Sequence, residues 1–272
     1  MECKFCGSVA IRLGTRKGKQ KWQCKSCGKN FTFGEKRIKK EKPIEFNFSL
    51  GYVIGVLVGD GSLSKWKDYH YFDDKHRQVP KAKATKIVPR FRHGFQLQVK
   101  DEDFAVAFQD QLEKVTGKRA CLCPIQGIGM TTRNMVPIPY TFHRFKVQLI
   151  SKEWHDKIKP LLDDLLWINK SALEVKLGFL RGFFDSEGGY GSWGSIKLTN
   201  TNMNLLRVSK KLLNELNINC TIYADKNNSK IYKTHKISIL RIPKCDSNRF
   251  LETVGFSIKR KNKKIRELLR FD

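Results

Sequence analysis

Two copies of one short apolar segment constrain the fold of this 272-residue chain more than any other feature. The first copy is LGYVIGVLVGDGS, starting at Leu50, and the second is LGFLRGFFDSEGG, starting 127 positions later at Leu177. On a helix, residues four positions apart share one stripe, and small residues there let two backbones approach closely. We therefore predict two helices packed through their small residues, which are Gly51, Gly55, Gly59, Gly178, Gly182 and Ser186.

Each copy ends in an acidic residue followed by glycine, Asp60 in the first and Glu187 in the second. A single Asp-Gly pair would predict only a tight turn. Because the acid recurs at the matching place, close-packed helices would bring both carboxylates together at one end. Two acids that repel each other at the negative ends of helices favour a bound divalent cation.

Four cysteines near the N-terminus are spaced as C-x2-C, 17 residues, C-x2-C. Two such turns can complete the tetrahedral thiolate shell that structural Zn²⁺ prefers, and the predicted ligands are Cys3, Cys6, Cys24 and Cys27. Unrelated buried thiols are the alternative, while a redox motif is disfavoured because no βαβ pattern surrounds either pair. Residues 1–49 contain 13 Lys and Arg against 4 Asp and Glu, so contact with a DNA backbone and a purely structural role both remain open for this zinc ribbon.

The charge of the chain indicates its partner. Lys and Arg number 53 against 26 Asp and Glu, a formal net charge of +27, which attracts polyanions and above all nucleic acid. Neither a signal-like start nor a bilayer-spanning apolar run is present, since the uncharged stretch 46–59 is short and the second copy contains Arg181 and Asp185. We expect a cytoplasmic protein that does not insert into membranes.

Strands with period-two alternation follow each copy. In 90–100, Phe91, Phe95, Leu97 and Val99 share one face, and the segments 142–149, 195–202 and 236–239 alternate similarly. Helical patterns at 101–115 and 202–216 should cover the inner faces. The polar faces suit phosphates and base edges, and the predicted DNA-binding set is Arg90, Arg92, Gln96, Gln98, Lys100, Arg144, Lys146, Gln148, Ser195, Lys197, Thr199, Lys236 and Ser238.

The offset between the two copies falls from 127 at the apolar segments to 101 at the strands, where Leu97 matches Leu198. The first half therefore contains 26 additional residues, within the basic and aromatic stretch 63–90. This insertion predicts either an extended DNA-contacting hairpin or a disordered surface loop.

The paired motifs resemble those of the LAGLIDADG homing endonucleases. The resemblance covers residues 48–272 and departs from the family pattern at Val58, where an acid is frequent, whereas the second copy keeps Asp185 there. It implies that Asp60 and Glu187 bind catalytic Mg²⁺, or Mn²⁺ or Ca²⁺ in the same site, with the backbone of Gly59 and Ser186 as further candidate ligands.

The same resemblance implies a double-strand break in a long DNA site, with 3′ overhangs, made by a pseudosymmetric monomer. Lys100 matches a basic residue that the family uses near the scissile phosphate. Its counterpart is Thr201, so Lys197 is the candidate substitute in the second half.

The predicted fold class is α+β, with two αββαββα halves packed through paired helices under saddle-shaped antiparallel sheets. The predicted domains are a zinc ribbon at 1–34, a basic linker at 35–47, a first half at 48–166 and a second half at 167–272. Two other functions use the same scaffold, an RNA-splicing maturase that binds intron RNA and a DNA-binding regulator that does not cleave. An intein is disfavoured because the chain lacks an initial Cys or Ser and a final His-Asn.

Overall fold

The computed structural model describes residues 1–3, 5–16, 19–33, 42–75, 77–133, 136–224 and 237–270. The chain divides into two compact units, Met1–Pro43 and Ile44–Asp272. Most of the predicted linker, 35–47, lies outside the described residues. None of the helices in the described ranges combines the length and apolar character that crossing a bilayer requires.

The N-terminal unit is a three-stranded antiparallel sheet in the order β1-β2-β3. Its strands are β1 Ala10–Arg16, β2 Lys19–Cys24 and β3 Asn30–Phe33. Among the described residues of this unit, the buried core consists of Cys3, Ala10, Cys24 and Phe31, with Trp22 packed against them. Because so small a core provides little burial, the unit depends on another source of stability, and its cysteine cluster can supply one.

Two buried helices form the centre of the second unit, α1 Phe48–Leu57 and α4 Leu173–Glu187. A methyl group added at Gly51 or Gly55 would overlap the backbone carbonyl oxygens of Val175 and Phe179. Equivalent additions at Gly178 and Gly182 would overlap carbonyl oxygens of α1. The predicted helix pair is thus confirmed, and its closeness depends on the absence of side chains at these positions.

The first half continues from α1 with two hairpins and two helices. A four-stranded antiparallel sheet in the order β4-β5-β7-β6 packs against the two following helices of this half. The elements are β4 Ser62–Phe72, β5 Lys86–Val99, α2 Glu102–Thr116, β6 Cys121–Arg133, β7 Val136–Ile150 and α3 Lys152–Asp163.

The second half repeats this order after α4. Its sheet runs β8-β9-β11-β10, and an additional helix, α7, follows the repeat. The elements are β8 Gly188–Tyr190, β9 Ile196–Asn200, α5 Met203–Glu215, β10 Thr221–Ala224, β11 Ser238–Ile242, α6 Lys244–Thr253 and α7 Lys259–Leu269. Both halves therefore have the predicted αββαββα order, and the predicted covering helices are α2 and α5.

The additional residues of the first half form a long hairpin. Strands β4 and β5 pair continuously from Ser62 opposite Gln96 to Phe72 opposite Lys86, whereas β8 contributes three residues to the equivalent pair. Of the two alternatives for the insertion, the structure has the hairpin, and its contact with DNA stays a prediction. The sequence predicts Phe91 in the core, but this residue is 56% exposed. It lies on the part of the hairpin that extends beyond the helices covering the sheet. Its ring packs beneath the ammonium of Lys65.

Two predicted DNA-facing residues lie in the interior instead. Ser238 is 5% exposed and shares the core face of β11 with Leu240 and Ile242, so the alternation predicted for 236–239 has the opposite phase. Ile239 is buried as well, so both faces of this segment are apolar and the phase becomes evident only at the exposed Arg241. Ser195 is 1% exposed because it precedes β9 in a tight connection, where its carbonyl accepts a hydrogen bond from Gly191.

Candidate active site

The helix pair brings the two predicted metal-binding acids to the same end of the second unit. Glu187 is the last residue of α4, and Asp60 follows α1 by three residues. Gly59 packs so closely on α4 that an added methyl group would overlap Cβ of Ser186 and lie 3.4 Å from Cγ of Glu187. The small residues at the end of the stripe therefore set the approach of the two carboxyl groups.

The carboxyl groups influence each other electrostatically. Burial, followed by the charge of Asp60, raises the pKa of Glu187 to about 7, while the Lys261 ammonium acts in the opposite direction. Partial burial also raises the pKa of Asp60, although this residue keeps solvent-accessible surface, and Lys261 again opposes the shift. Two carboxylates that are difficult to ionise together, at the ends of two helices, suit a hard divalent cation with oxygen ligands.

Lys261 was not predicted from the sequence as part of this site. It belongs to α7 and is 6% exposed, with Nζ donating hydrogen bonds to the carbonyls of Asp185 at 2.8 Å and Gly188 at 2.6 Å. These carbonyls lie at the C-terminal end of α4, the negative end of the helix dipole. Nothing in the sequence of the run 259–264 distinguishes one lysine from the next.

The surroundings of Asp185 indicate a structural role and not metal binding. Its carboxylate is 1% exposed and accepts hydrogen bonds from Tyr52 Oη at 2.7 Å and from the backbone nitrogen of Ser257 at 2.8 Å. Burial raises the pKa of Asp185, and these hydrogen bonds oppose the shift. The residue joins α1, α4 and the segment before α7, and it leaves Asp60 and Glu187 as the acids of the candidate site.

A cleft of about 340 Å³ opens beside Asp60. Lys100 lies in it, as expected from its position at the end of β5, together with Gln98 and Arg144 from the polar strand faces. Arg260 also lines the cleft and forms a two-point ion pair with Asp101, with Nη2 to Oδ2 at 2.8 Å. Arg260, like Lys261, is not predicted from the sequence, because α7 reaches this cleft only through the tertiary fold. Asp101 follows Lys100 directly and joins the site as the partner of Arg260.

Lys197 lies elsewhere. It sits on β9 opposite Gly189 and Arg241, and it does not line the cleft beside Asp60. The register places Thr199 on the same outer face as Lys197 and Arg241. Arg241 lies beyond the segment 236–239 in which the sequence predicts alternation, so it is not among the predicted residues.

The outer face of the first sheet carries most of the predicted DNA-binding residues. Gln96 pairs with Gln148 and Gln98 with Lys146, so these side chains project from one surface, which continues to Arg144. Arg90 is exposed, and Arg92 forms an ion pair with Asp68 at 2.7 Å. Lys236 lies outside the described residues.

The four N-terminal cysteines converge within the first unit. Their sulfur atoms lie within 4.8 Å of one another, with Cys3 and Cys27 Sγ atoms 3.8 Å apart and those of Cys6 and Cys24 3.4 Å apart. A tetrahedral zinc site with bonds of about 2.3 Å separates its sulfurs by about 3.8 Å. Gly7 and Gly28, which follow the two pairs, have positive φ angles that close the two turns. The cluster fits a structural zinc ion.

Comparisons with known proteins agree with this architecture. Residues 174–255 match the family model of the LAGLIDADG-like domain. The uncharacterized protein MJ0398 of Methanocaldococcus jannaschii is 29% identical over 231 residues, which cover 81% of this chain and 71% of that protein. MJ0314, an uncharacterized protein of the same organism, is 26% identical over 201 residues, which cover 70% of this chain and 64% of that protein.

Solved structures share the fold at low sequence identity. The crystal structure of I-DmoI in complex with DNA and Ca has a TM-score of 0.51 at 17% identity, covering 82% of this chain and 98% of that one. Full-length DUF199/WhiA from Thermatoga maritima has a TM-score of 0.45 at 14% identity, and the match covers 85% of this chain and 62% of that one. Residues 174–255 thus match the LAGLIDADG-like domain, and the chain combines the fold of I-DmoI with an N-terminal cysteine cluster that fits zinc.

Proposed function

We propose that this protein is a site-specific DNA endonuclease that makes a double-strand break by divalent-metal-dependent phosphodiester hydrolysis and leaves 3′ overhangs. The observation that carries the proposal is the convergence of Asp60 and Glu187 at the ends of paired helices, beside a cleft lined with basic side chains. A core helix pair needs no acids at this place, since each costs free energy where the helix dipole and the other carboxylate oppose its charge.

The side chains around the cleft have distinct roles in this mechanism. Asp60 and Glu187 would hold Mg²⁺, or Mn²⁺ or Ca²⁺ in its place, with the backbone of Gly59 and Ser186 as further candidate ligands. When bound, the ion supplies the charge that polarises the scissile phosphate and stabilises the leaving 3′ oxygen. Lys100 and Arg144 orient the phosphate from the opposite wall, and Lys261 holds the end of α4, and with it Glu187, in place.

Double-stranded DNA would lie along the outer faces of the two sheets. The net charge of +27 supports such binding, and Gln96, Gln98, Lys146 and Gln148 present donors and acceptors from adjacent strands. I-DmoI, which shares the fold, was crystallised in complex with DNA and Mn and with DNA and Ca. We further propose that the protein acts as a monomer in the cytoplasm, that intron homing is the use of this cleavage, and that the zinc ribbon adds backbone contacts.

Selection of cleaved sequences from a randomised DNA library, in Mg²⁺, tests the proposal and supplies the target site. Asp60→Asn and Glu187→Gln should then abolish cleavage of that site and leave its binding in Ca²⁺ intact. The matched control is Asp110→Asn, on the exposed side of α2, which should cut normally. Wild-type cleavage by either active-site variant would overturn the assignment. Binding without any cleavage would instead indicate a regulator, or a maturase if intron RNA is bound.

A further inference from the structure

A second cluster of metal-binding side chains lies outside both sites described above. His93 is on β5, and His155 and Asp156 are near the beginning of α3. Each offers a ligand atom, and these atoms lie within 4.8 Å of one another. The two imidazole rings meet edge to face with centroids 4.8 Å apart, and His155 Nδ1 is 3.0 Å from Asp156 Oδ1.

One nitrogen in this cluster lacks a hydrogen-bond partner. His93 Nδ1 is inaccessible to solvent, yet no donor or acceptor in the described residues reaches it. Buried polar atoms are nearly always satisfied, so an orphan in an otherwise ordered region requires an explanation. A bound cation that accepts the lone pair of Nδ1 would satisfy this nitrogen.

We propose that His93, His155 and Asp156 bind a transition-metal ion of the Zn²⁺ type, as a site with three protein ligands and a remaining position for water. Imidazole and carboxylate ligands lie about 2.0 to 2.2 Å from zinc, which requires the three side chains to close inward slightly. The side chain of Asp156 is 54% exposed and has room to rotate, whereas that of His155 is 12% exposed and already lies against His93.

The charges around the cluster determine which ion it accepts. Lys65 and Lys152 act electrostatically on His93, and Asp156 is the carboxylate that opposes them. Mg²⁺ and Ca²⁺ bind largely through oxygen ligands and charge, and two imidazoles beside two ammonium groups suit them poorly. Zn²⁺, Co²⁺ and Ni²⁺ bind imidazole well, so the site should discriminate against the ions expected at Asp60 and Glu187.

A metal ion at this site would link strand β5 to helix α3. The carbonyl of His93 already accepts a hydrogen bond at 2.9 Å from Ser151, the residue that caps α3. A metal bridging His93 to α3 adds a second link at the base of the β4–β5 hairpin. Bound metal should therefore slow hydrogen exchange in this part of β5 and in the first turns of α3.

Metal stoichiometry of the full-length protein tests the proposal. We expect two Zn²⁺ per chain at pH 7.5, one at the cysteines and one here, and one per chain in Cys24→Ser, His93→Asn or His155→Asn. His143→Asn is the matched control, because this histidine is exposed on β7, and it should retain two. Asp156→Asn changes an exposed side chain and should weaken the second Zn²⁺ by about 10- to 100-fold, which keeps the test valid if a histidine variant misfolds.

Cobalt substitution assigns each bound ion to its site. Co²⁺ bound to four thiolates gives intense sulfur-to-metal absorption, whereas Co²⁺ bound to imidazole and carboxylate gives only weak visible bands. The weak bands should persist in Cys24→Ser and disappear in His155→Asn. A single Zn²⁺ per chain in the wild type, or a second that survives all three changes at His93, His155 and Asp156, would overturn the proposal.

Discussion

The two halves of the second unit share one order of elements but differ in their sheets. The first half has a long β4–β5 hairpin and Lys100 in the cleft, whereas the second has a three-residue β8 and Thr201 at the matching position. The second half is followed by α7, which supplies Arg260 and Lys261 to the cleft beside Asp60. The repeated helices set a symmetric frame, and the surrounding elements make its chemistry asymmetric.

The glycines of the helix seam must be equivalent in the two halves, whereas the side chains around the two carboxylates can differ. The helix seam leaves no space for side chains at either set of glycines, so both copies are held to the same small residues. The side chains around the carboxylates meet no such restriction, because they line an open cleft. The two strands of a bound DNA would therefore meet different groups.

The largest expected effect comes from breaking the symmetric frame. Gly55→Ala places a methyl group against the backbone of Phe179, which cannot move without separating the helices. We expect a loss of roughly 4 kcal/mol or more of unfolding free energy, as for severe overpacking. Urea denaturation followed by circular dichroism measures it. Gly189→Ala is the control, since a methyl group there meets nothing within 4 Å, and equal losses in the two variants would contradict the account of the seam.

A second test concerns the asymmetry of the chemistry. Lys100→Met should slow cleavage of the strand nearest Lys100 by about 100-fold, because positioned charge at a reacting phosphate is worth this much or more. Thr201→Ala, at the matching place in the second half, should change the other strand little. Rates of nicking for the two strands, labelled separately, measure the difference. Equal slowing of both strands by Lys100→Met would show that the halves are chemically equivalent.

The next prediction concerns the stability that Lys261 of α7 gives to the C-terminal end of α4. Lys261→Met keeps the length of the side chain but leaves the carbonyls of Asp185 and Gly188 without their charged donor. The expected loss is about 2 kcal/mol, as for a buried hydrogen bond from a charged group. Lys263→Met, on the exposed side of α7, should be neutral in the same denaturation experiment. An unchanged unfolding free energy in Lys261→Met would mean that α7 does not hold the end of α4.

The smallest effect is a pH dependence of the metal-free protein. The pKa of Glu187 is raised from 4.5 to about 7, so between these values the folded state binds more protons than the unfolded chain. The contribution of this group to stability is therefore present below about pH 4.5 and is lost as the pH rises to about 7. Urea midpoints measured across this window should fall less steeply in Glu187→Gln than in Glu102→Gln, and parallel curves would contradict the assignment.

Periodicity predicted most of the architecture because it reports burial directly. The repeat at Leu50 and Leu177 predicted the seam, and strand alternation predicted the inner faces around Leu97 and Val147. It failed where the core ends or the pattern is short. Phe91 extends beyond the covering helices, and a four-residue segment could not define the phase of Ser238 against Leu240.

The sequence by itself determined the paired small-residue helices, the acids at their ends and the cysteine spacing, because each depends on local periodicity or on a repeated pattern. Only the tertiary structure decided which distant side chains surround those acids. It selected Lys261 from a run of similar basic residues, and it brought His93 beside His155 and Asp156. Such contacts join elements far apart in the chain, and their side chains leave no periodic signal, since a few directed hydrogen bonds or ligand distances define them.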